Sequence, residues 1–118
     1  MAKKIIIVGA GIIGASLAYH LAAKGSDVIV LDMQAKAGGL ATLNSWAWIN
    51  ASWGNPEPYL KLRMQSMAMW KPLAVINPRL TVNWCGGLLW DLSESELETY
   101  VQLHSALGYN VRLVDSVE

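Results

Sequence analysis

The chain has 118 residues, enough for one small domain, and 53% of them are hydrophobic. Nine basic and nine acidic side chains give a formal net charge of zero, and no basic cluster or basic helix face predicts a nucleic-acid partner. The single cysteine, Cys85, excludes an intramolecular disulfide, fits a reducing cytoplasm, and has no partners at metal-ligand spacing, so no metal site is expected.

The first 25 residues predict a strand, a glycine turn and a helix. The run Ile5–Val8 is continuously β-branched, which is typical of a strand buried on both faces. Gly9, Gly11 and Gly14 follow with the spacing G-x-G-x-x-G, and an Ala/Leu-rich helix then runs to a stop at Gly25. In a dinucleotide cradle the first glycine permits the turn, the second admits a pyrophosphate, and the third allows close helix packing.

A second strand, SDVIVLD, ends at Asp32, eighteen residues after Gly14. Its carboxylate is placed to accept hydrogen bonds from a ribose diol and would repel a 2′-phosphate, which argues against NADP. Lys3, Lys4 and the apolar run imitate a secretory signal, but the strand, turn, helix, strand and acid together favour an adenine dinucleotide site. These residues do not separate FAD from NAD. Glycines and polar residues interrupt the first helix, so no transmembrane segment is expected.

The stretch that follows the second strand, residues 33–59, is rich in Gly, Ala, Asn, Ser and Trp and lacks helical periodicity. It predicts an extended loop with one short strand near Trp46–Ile49. Gly38 and Gly39 would allow close backbone approach to a ligand, and Asn55-Pro56 is a turn and helix-start signal.

The next segment predicts a helix and then a hairpin. Apolar residues recur at helical spacing from about Glu57 to Val75, and Pro72 is expected to end or kink this helix. The residues that share this spacing are Leu60, Met64, Met67 and Trp70. Residues 79–92 predict two short strands separated by Gly86-Gly87.

The last segment predicts a well-marked helix and a final strand. Residues 93–108 form the helix, with Ser93 as its N-cap, Glu96 completing a capping box and Gly108 as its stop. Residues 109–115 predict a short strand. His20 and His104 are isolated, each on a predicted helix, and a structural role is expected for both.

Three stretches of this sequence resemble the family of FAD-dependent D-amino-acid oxidases, which includes glycine oxidase and sarcosine oxidase. They are IIIVGAGIIGASLAYHLAAKG with Asp32, AGGLATLNSWAWINASWGNP, and GGLLWDLSESELE with LGYNVRLVD. The resemblance spans essentially the whole chain. Its first motif is shared by many dinucleotide enzymes, whereas the Gly-Gly-x-x-Thr segment six residues past the acid is more specific to FAD.

The resemblance implies a set of cofactor-binding residues, and FAD as the cofactor. By matching position, the residues that hold the pyrophosphate are Gly9, Gly11, Ile13 and Gly14, and the ribose acid is Asp32. The loop that runs along the phosphates towards the flavin contains Gly39, Ala41, Thr42, Ser45 and Ala47. The implied reaction oxidises a small amine or amino acid by hydride transfer to flavin. No catalytic residue and no metal ligand is nominated in this chain.

The expected fold class is α/β: an incomplete Rossmann-type FAD-binding domain, beginning with a βαβ unit, followed by the start of an α+β substrate domain. We expect the cofactor-binding portion to span residues 1–78 and the substrate domain to begin at residues 79–118. Only two strands flank the cradle, fewer than such a sheet needs, so the chain is expected to be the front portion of a larger, cytoplasmic enzyme.

Two alternatives remain open at this stage. The chain is either such an enzyme portion or a non-catalytic FAD-binding subunit or fragment that needs a partner chain for the rest of the fold. A lesser alternative is an NAD-dependent dehydrogenase, against which the segment containing Gly38, Gly39 and Thr42 argues.

Overall fold

The computed structural model describes residues 4–52 and 55–115. Its elements, in chain order, are β1 (Lys4–Val8), α1 (Ile12–Ala23), β2 (Asp27–Leu31), α2 (Glu57–Ile76) and α3 (Glu94–Ala106). The chain divides into two compact units between Trp48 and Ile49. The first unit contains β1, α1 and β2, and the second contains α2 and α3.

The first unit is the predicted βαβ unit. β1 and β2 pair in parallel, with Lys4 opposite Asp27 and Val8 opposite Leu31, so both strands end at the same edge of the sheet. The helix between them ends as the sequence predicts: Gly25 has a φ of +80°, which glycine adopts without strain, and its N–H donates to the carbonyl of Ala22. The structure therefore confirms the α/β beginning of the fold.

The second unit contains the longer helix, α2. It begins directly after Asn55-Pro56, as predicted, and its half-buried and buried side chains lie at helical spacing, with Leu60 only 2% exposed. Of the two outcomes expected at Pro72, an end or a kink, the end does not occur, because α2 continues to Ile76. Proline removes one N–H donor and its ring crowds the preceding turn, yet here four further residues remain helical beyond it.

Helix α3 begins with the predicted capping box. The Ser93 hydroxyl and N–H both donate to Glu96 Oε2, at 2.5 and 2.9 Å. Near its end His104 is buried, its Nδ1 lies 2.8 Å from the carbonyl oxygen of Tyr100, and its ring stacks on that tyrosine with centroids 3.9 Å apart. His104 is therefore a packed structural histidine, as expected.

Three predicted strand segments are wrong. Residues 46–49, 79–92 and 109–115 carry no strand in the structure, although Gly86 has the positive φ of the predicted turn. A β-branched or aromatic run becomes a strand only where another strand supplies hydrogen-bond partners and a face to pack on. β1 and β2 are the strands that the described residues form, and they pair with each other.

Large apolar side chains remain exposed in both units. Trp46 is 85% and Trp90 is 74% exposed, and the faces of β1 and α1 leave Val8 and Ile13 similarly uncovered. Trp53 lies outside the described residues. The functional boundary at residues 78 and 79 stays a prediction, since the division after Trp48 reflects compactness alone.

Candidate cofactor site

The glycine turn joins β1 to α1 at the carboxyl end of the sheet. Gly9 has a φ of +105°, a conformation that side chains other than glycine's rarely adopt, and its N–H donates to the Leu31 carbonyl at 2.7 Å. Gly14, the third residue of α1, is buried against the glycine turn, and a Cβ built on it would overlap the carbonyl oxygen of Gly9. These two glycines set the close approach of helix and strand that the motif predicts.

The first turn of α1 is capped by a side chain from a distant loop. Gly11 stands at the N-cap position and has no side chain to offer, but Thr42 Oγ1 accepts a hydrogen bond from the Ile12 N–H at 3.0 Å. A Cβ on Gly11 would lie 3.1 Å from this same oxygen. Gly11 therefore leaves room for the threonine hydroxyl as well as for a ligand.

A helix N-terminus of this kind is suited to an anion. The first N–H groups of any helix lack intrahelical acceptors, and the helix dipole places partial positive charge there. Thr42 uses a lone pair to accept from Ile12, which leaves its hydroxyl proton available to donate. The N–H groups of Ile13 and Gly14 follow in the same turn.

Asp32 stands immediately after β2 and receives two backbone N–H groups. Ala10 donates to its Oδ2 at 2.6 Å and Gln34 donates to its Oδ1 at 2.7 Å. The hydrogen bond from Ala10, and then that from Gln34, hold the pKa of this carboxyl below its ordinary value of 3.8. Asp32 is therefore ionised at neutral pH and keeps further lone pairs for a ligand.

The loop after β2 returns to the glycine turn. The N–H of Gly38 donates to the carbonyl of Ala10 at 2.9 Å, and a Cβ on Gly39 would lie 3.3 Å from the carbonyl oxygen of Lys36. The Gly-Gly pair thus permits tight packing of this loop on itself and on the turn.

Ala47 is the non-glycine residue with positive φ in the described chain, at +56°. Its N–H donates to the Ser45 hydroxyl at 3.0 Å, which holds this strained conformation. The rings of Trp46 and Trp48 meet edge to face beside it, with centroids 5.5 Å apart.

An open cleft of about 450 Å³ lies at the N-terminus of α1. Most of the predicted cofactor residues line it, namely Gly9, Gly11, Ile13, Gly14, Ala41, Thr42 and Ser45. Asp32, Gly39 and Ala47 are outside its lining. Asp32 and Gly39 instead support the turn and the loop through the backbone contacts described above.

The sequence alone missed three residues of this site, Ala10, Ile12 and Gln34. Each takes part through its backbone: the N–H groups of Ala10 and Gln34 bind Asp32, and that of Ile12 binds Thr42. Ala10 and Ile12 stand at the variable positions of the glycine motif, so side-chain chemistry gave no signal for them.

No group of three His, Cys, Asp or Glu side chains within residues 4–52 and 55–115 could hold a metal ion. Across those same residues, no helix has the length and apolar character that a membrane crossing requires.

A parallel βαβ unit, a glycine turn, a helix N-terminus aimed into a cleft and an acid after the second strand define a dinucleotide-binding unit. The backbone of Gly11 and the Thr42 hydroxyl fit a pyrophosphate, since that cradle has no Cβ and presents hydrogen-bond donors.

Comparison with known proteins identifies the family. A model of the FAD dependent oxidoreductase family matches residues 4–118, so this chain belongs to that family, whose cofactor is FAD. The chain is also similar to a D-amino acid dehydrogenase from Methylobacterium nodulans, with 32% identity over 101 residues. That match covers 82% of this chain but 24% of the relative, so the chain spans about a quarter of the relative's length. No solved structure matches.

Proposed function

We propose that this chain is the cofactor-binding portion of an FAD-dependent enzyme that oxidises an amine or amino acid. The main support is the cleft at the N-terminus of α1, where the Gly11 backbone lies beside the Thr42 hydroxyl. The family match, which extends from residue 4 to residue 118, supports the same proposal. The Gly-Gly-x-x-Thr segment supplies that threonine, which favours FAD over NAD within this proposal.

The residues of this chain bind and orient the cofactor. The Gly11 backbone, the N–H groups of Ile13 and Gly14 and the Thr42 hydroxyl hold the pyrophosphate, while Asp32 faces the adenosine ribose. Gly39, Ala41, Ser45 and Ala47 shape the loop that leads towards the flavin. FAD, when bound, supplies the acceptor for a hydride that leaves the carbon bearing nitrogen, and water hydrolyses the imine product.

We propose an amino acid as the substrate class, because the similar protein from Methylobacterium nodulans is named a D-amino acid dehydrogenase. The described cleft is lined by glycines, apolar side chains and the hydroxyls of Thr42 and Ser45, with no acid or base among them. Hydride transfer to flavin does not require one, so we assign no catalytic residue to this chain. We also propose a cytoplasmic location, with which the exposed free thiol of Cys85 is compatible.

The second candidate is a non-catalytic FAD-binding subunit that acts with a partner chain. Exposed apolar side chains outside the cleft favour it: Ile6 is 59% exposed on β1, and Ile29 and Leu31 are exposed on β2. Parallel sheets are normally covered on both faces, so strands and helices supplied by other polypeptide would bury these residues. Both candidates share the same cofactor site.

The direct test is an FAD titration of the 118-residue chain, followed by flavin fluorescence. We expect saturable binding that NAD does not compete away. Thr42→Val should weaken FAD binding by roughly tenfold or more, because a charge-assisted hydrogen bond to phosphate is lost.

The matched control is Thr99→Val, since the Thr99 hydroxyl donates to the Ser95 carbonyl within α3 and Thr99 is not among the residues that line the cleft. It should leave FAD affinity unchanged. A folded chain that binds NAD in preference to FAD, or binds neither, contradicts the proposed cofactor. Amino-acid-dependent flavin reduction by the chain alone would reject the partner-dependent candidate.

A further inference from the structure

The carboxylate of Asp32 connects three segments of the first unit. Its two oxygens accept N–H groups from Ala10, in the glycine turn, and from Gln34, two residues beyond Asp32 itself. The carbonyl of Ala10 in turn accepts the N–H of Gly38, in the loop that carries Thr42. One side chain thus joins the end of β2 to the turn and, through Ala10, to the loop.

We propose that Asp32 is a positioning residue that holds the glycine turn in its phosphate-binding conformation, in addition to any contact with ribose. This inference rests on the proposed function, because it concerns how the same site binds the pyrophosphate. Hydrogen bonds from N–H groups to a carboxylate are shorter and stronger than those to a neutral oxygen. The 2.6 and 2.7 Å distances at Asp32 are of this kind.

The two roles make different demands on the ligand. A residue that only accepts from the ribose diol matters only to ligands that carry the diol. A residue that orders the turn matters to every ligand whose phosphates sit on that turn, whatever its sugar. Lone-pair counting permits both roles, because a carboxylate has about four acceptor positions and two are occupied by backbone N–H groups.

The experiment compares ADP with 2′,3′-dideoxy-ADP as ligands of the full 118-residue chain, by calorimetric titration. In Asp32→Asn, which keeps the side-chain shape but not the charge, we expect both ligands to bind about tenfold more weakly. The control is Asp27→Asn, the same change at the opposite end of β2, which should alter neither affinity. If Asp32→Asn weakens ADP alone and leaves dideoxy-ADP unchanged, the positioning role is wrong.

A second measurement needs no ligand. In nuclear magnetic resonance spectra of the free chain, the amide protons of Ala10 and Gln34 should move upfield and exchange faster in Asp32→Asn, but not in Asp27→Asn. Unchanged amides would overturn the inference. If the wild-type chain binds neither nucleotide, the proposed function fails, while these two amides still decide whether Asp32 orders the turn.

Discussion

Gly14 shows how the absence of one methyl group shapes the cradle. A Cβ at this position would overlap the backbone carbonyl of Gly9, with Ile7 also within van der Waals distance. The carbonyl belongs to the turn itself, so it cannot move aside as a flexible side-chain end would. The spacing of the motif therefore reflects the close contact between helix and turn as well as the approach of a phosphate.

Gly14→Ala tests this contact. We expect it to lower the free energy of unfolding, whereas helix propensity alone predicts that it would raise it. In a helix interior, alanine would stabilise by roughly 1 kcal/mol relative to glycine. Overpacking costs about 1–3 kcal/mol and here involves backbone, so we expect a net loss of unfolding free energy and of FAD binding. Urea denaturation measures the free energy of unfolding. Ser16→Ala, an exposed change in the same helix, is the control and should stabilise slightly; a Gly14→Ala variant as stable as wild type would contradict the predicted overlap.

At the scale of elements, the helices form from signals within a few residues. The capping box of α3 satisfies N–H groups through Ser93 and Glu96, which are three residues apart, and α2 begins directly after Asn55-Pro56. The hydroxyl of Ser93, and then its N–H, hold the pKa of Glu96 below its ordinary value of 4.5. The ionised carboxylate is thus the form that the folded helix prefers.

This preference predicts how α3 responds to acid. Because the pKa of Glu96 is lower in the folded state, its contribution to stability is fully present above about pH 4.5 and is lost as the pH falls through the folded value. Unfolding free energies of wild type and Glu96→Gln should differ at neutral pH and converge in acid. Ser93→Ala, which removes the hydroxyl, should reduce the same difference. Parallel pH profiles for wild type and Glu96→Gln would contradict the capping role.

The strands depended on a wider context. β1 and β2 were predictable because each is a short apolar run bounded by turn residues, and because they can pair with each other. The segments 79–92 and 109–115 have similar local composition but no strand beside them in the described structure. The composition of these segments therefore favours strands, but they do not form strands because no neighbouring strand in the described residues supplies backbone hydrogen-bond partners.

At the scale of the whole molecule, apolar exposure is the main feature. Large side chains such as Val8, Met33 and Trp46 are each at least 84% exposed, while Leu60 and Ala51 are the buried hydrophobic residues of the described chain. Apolar surface of this extent on a free chain favours association with other apolar surface.

We therefore expect the isolated chain to self-associate and to bind the dye ANS. Sedimentation velocity should show species larger than the 12.9 kDa monomer, and ANS fluorescence should rise on mixing. Co-expression with polypeptide that completes the sheet should reduce both signals, because the exposed faces of β1 and α1 would be covered. A monodisperse monomer that leaves ANS dark would show that these side chains are buried in solution.

The sequence by itself determined the βαβ order, the glycine turn, the start of α2, the capping box of α3 and the family. Only the tertiary structure decided which groups meet at the cradle. Thr42 reaches the Ile12 N–H across 30 residues, and Asp32 reaches the Ala10 N–H across 22. The donors in both contacts are backbone groups, which every residue except proline carries, so no pattern of side chains distinguishes them. Their positions follow from how the chain folds back on itself.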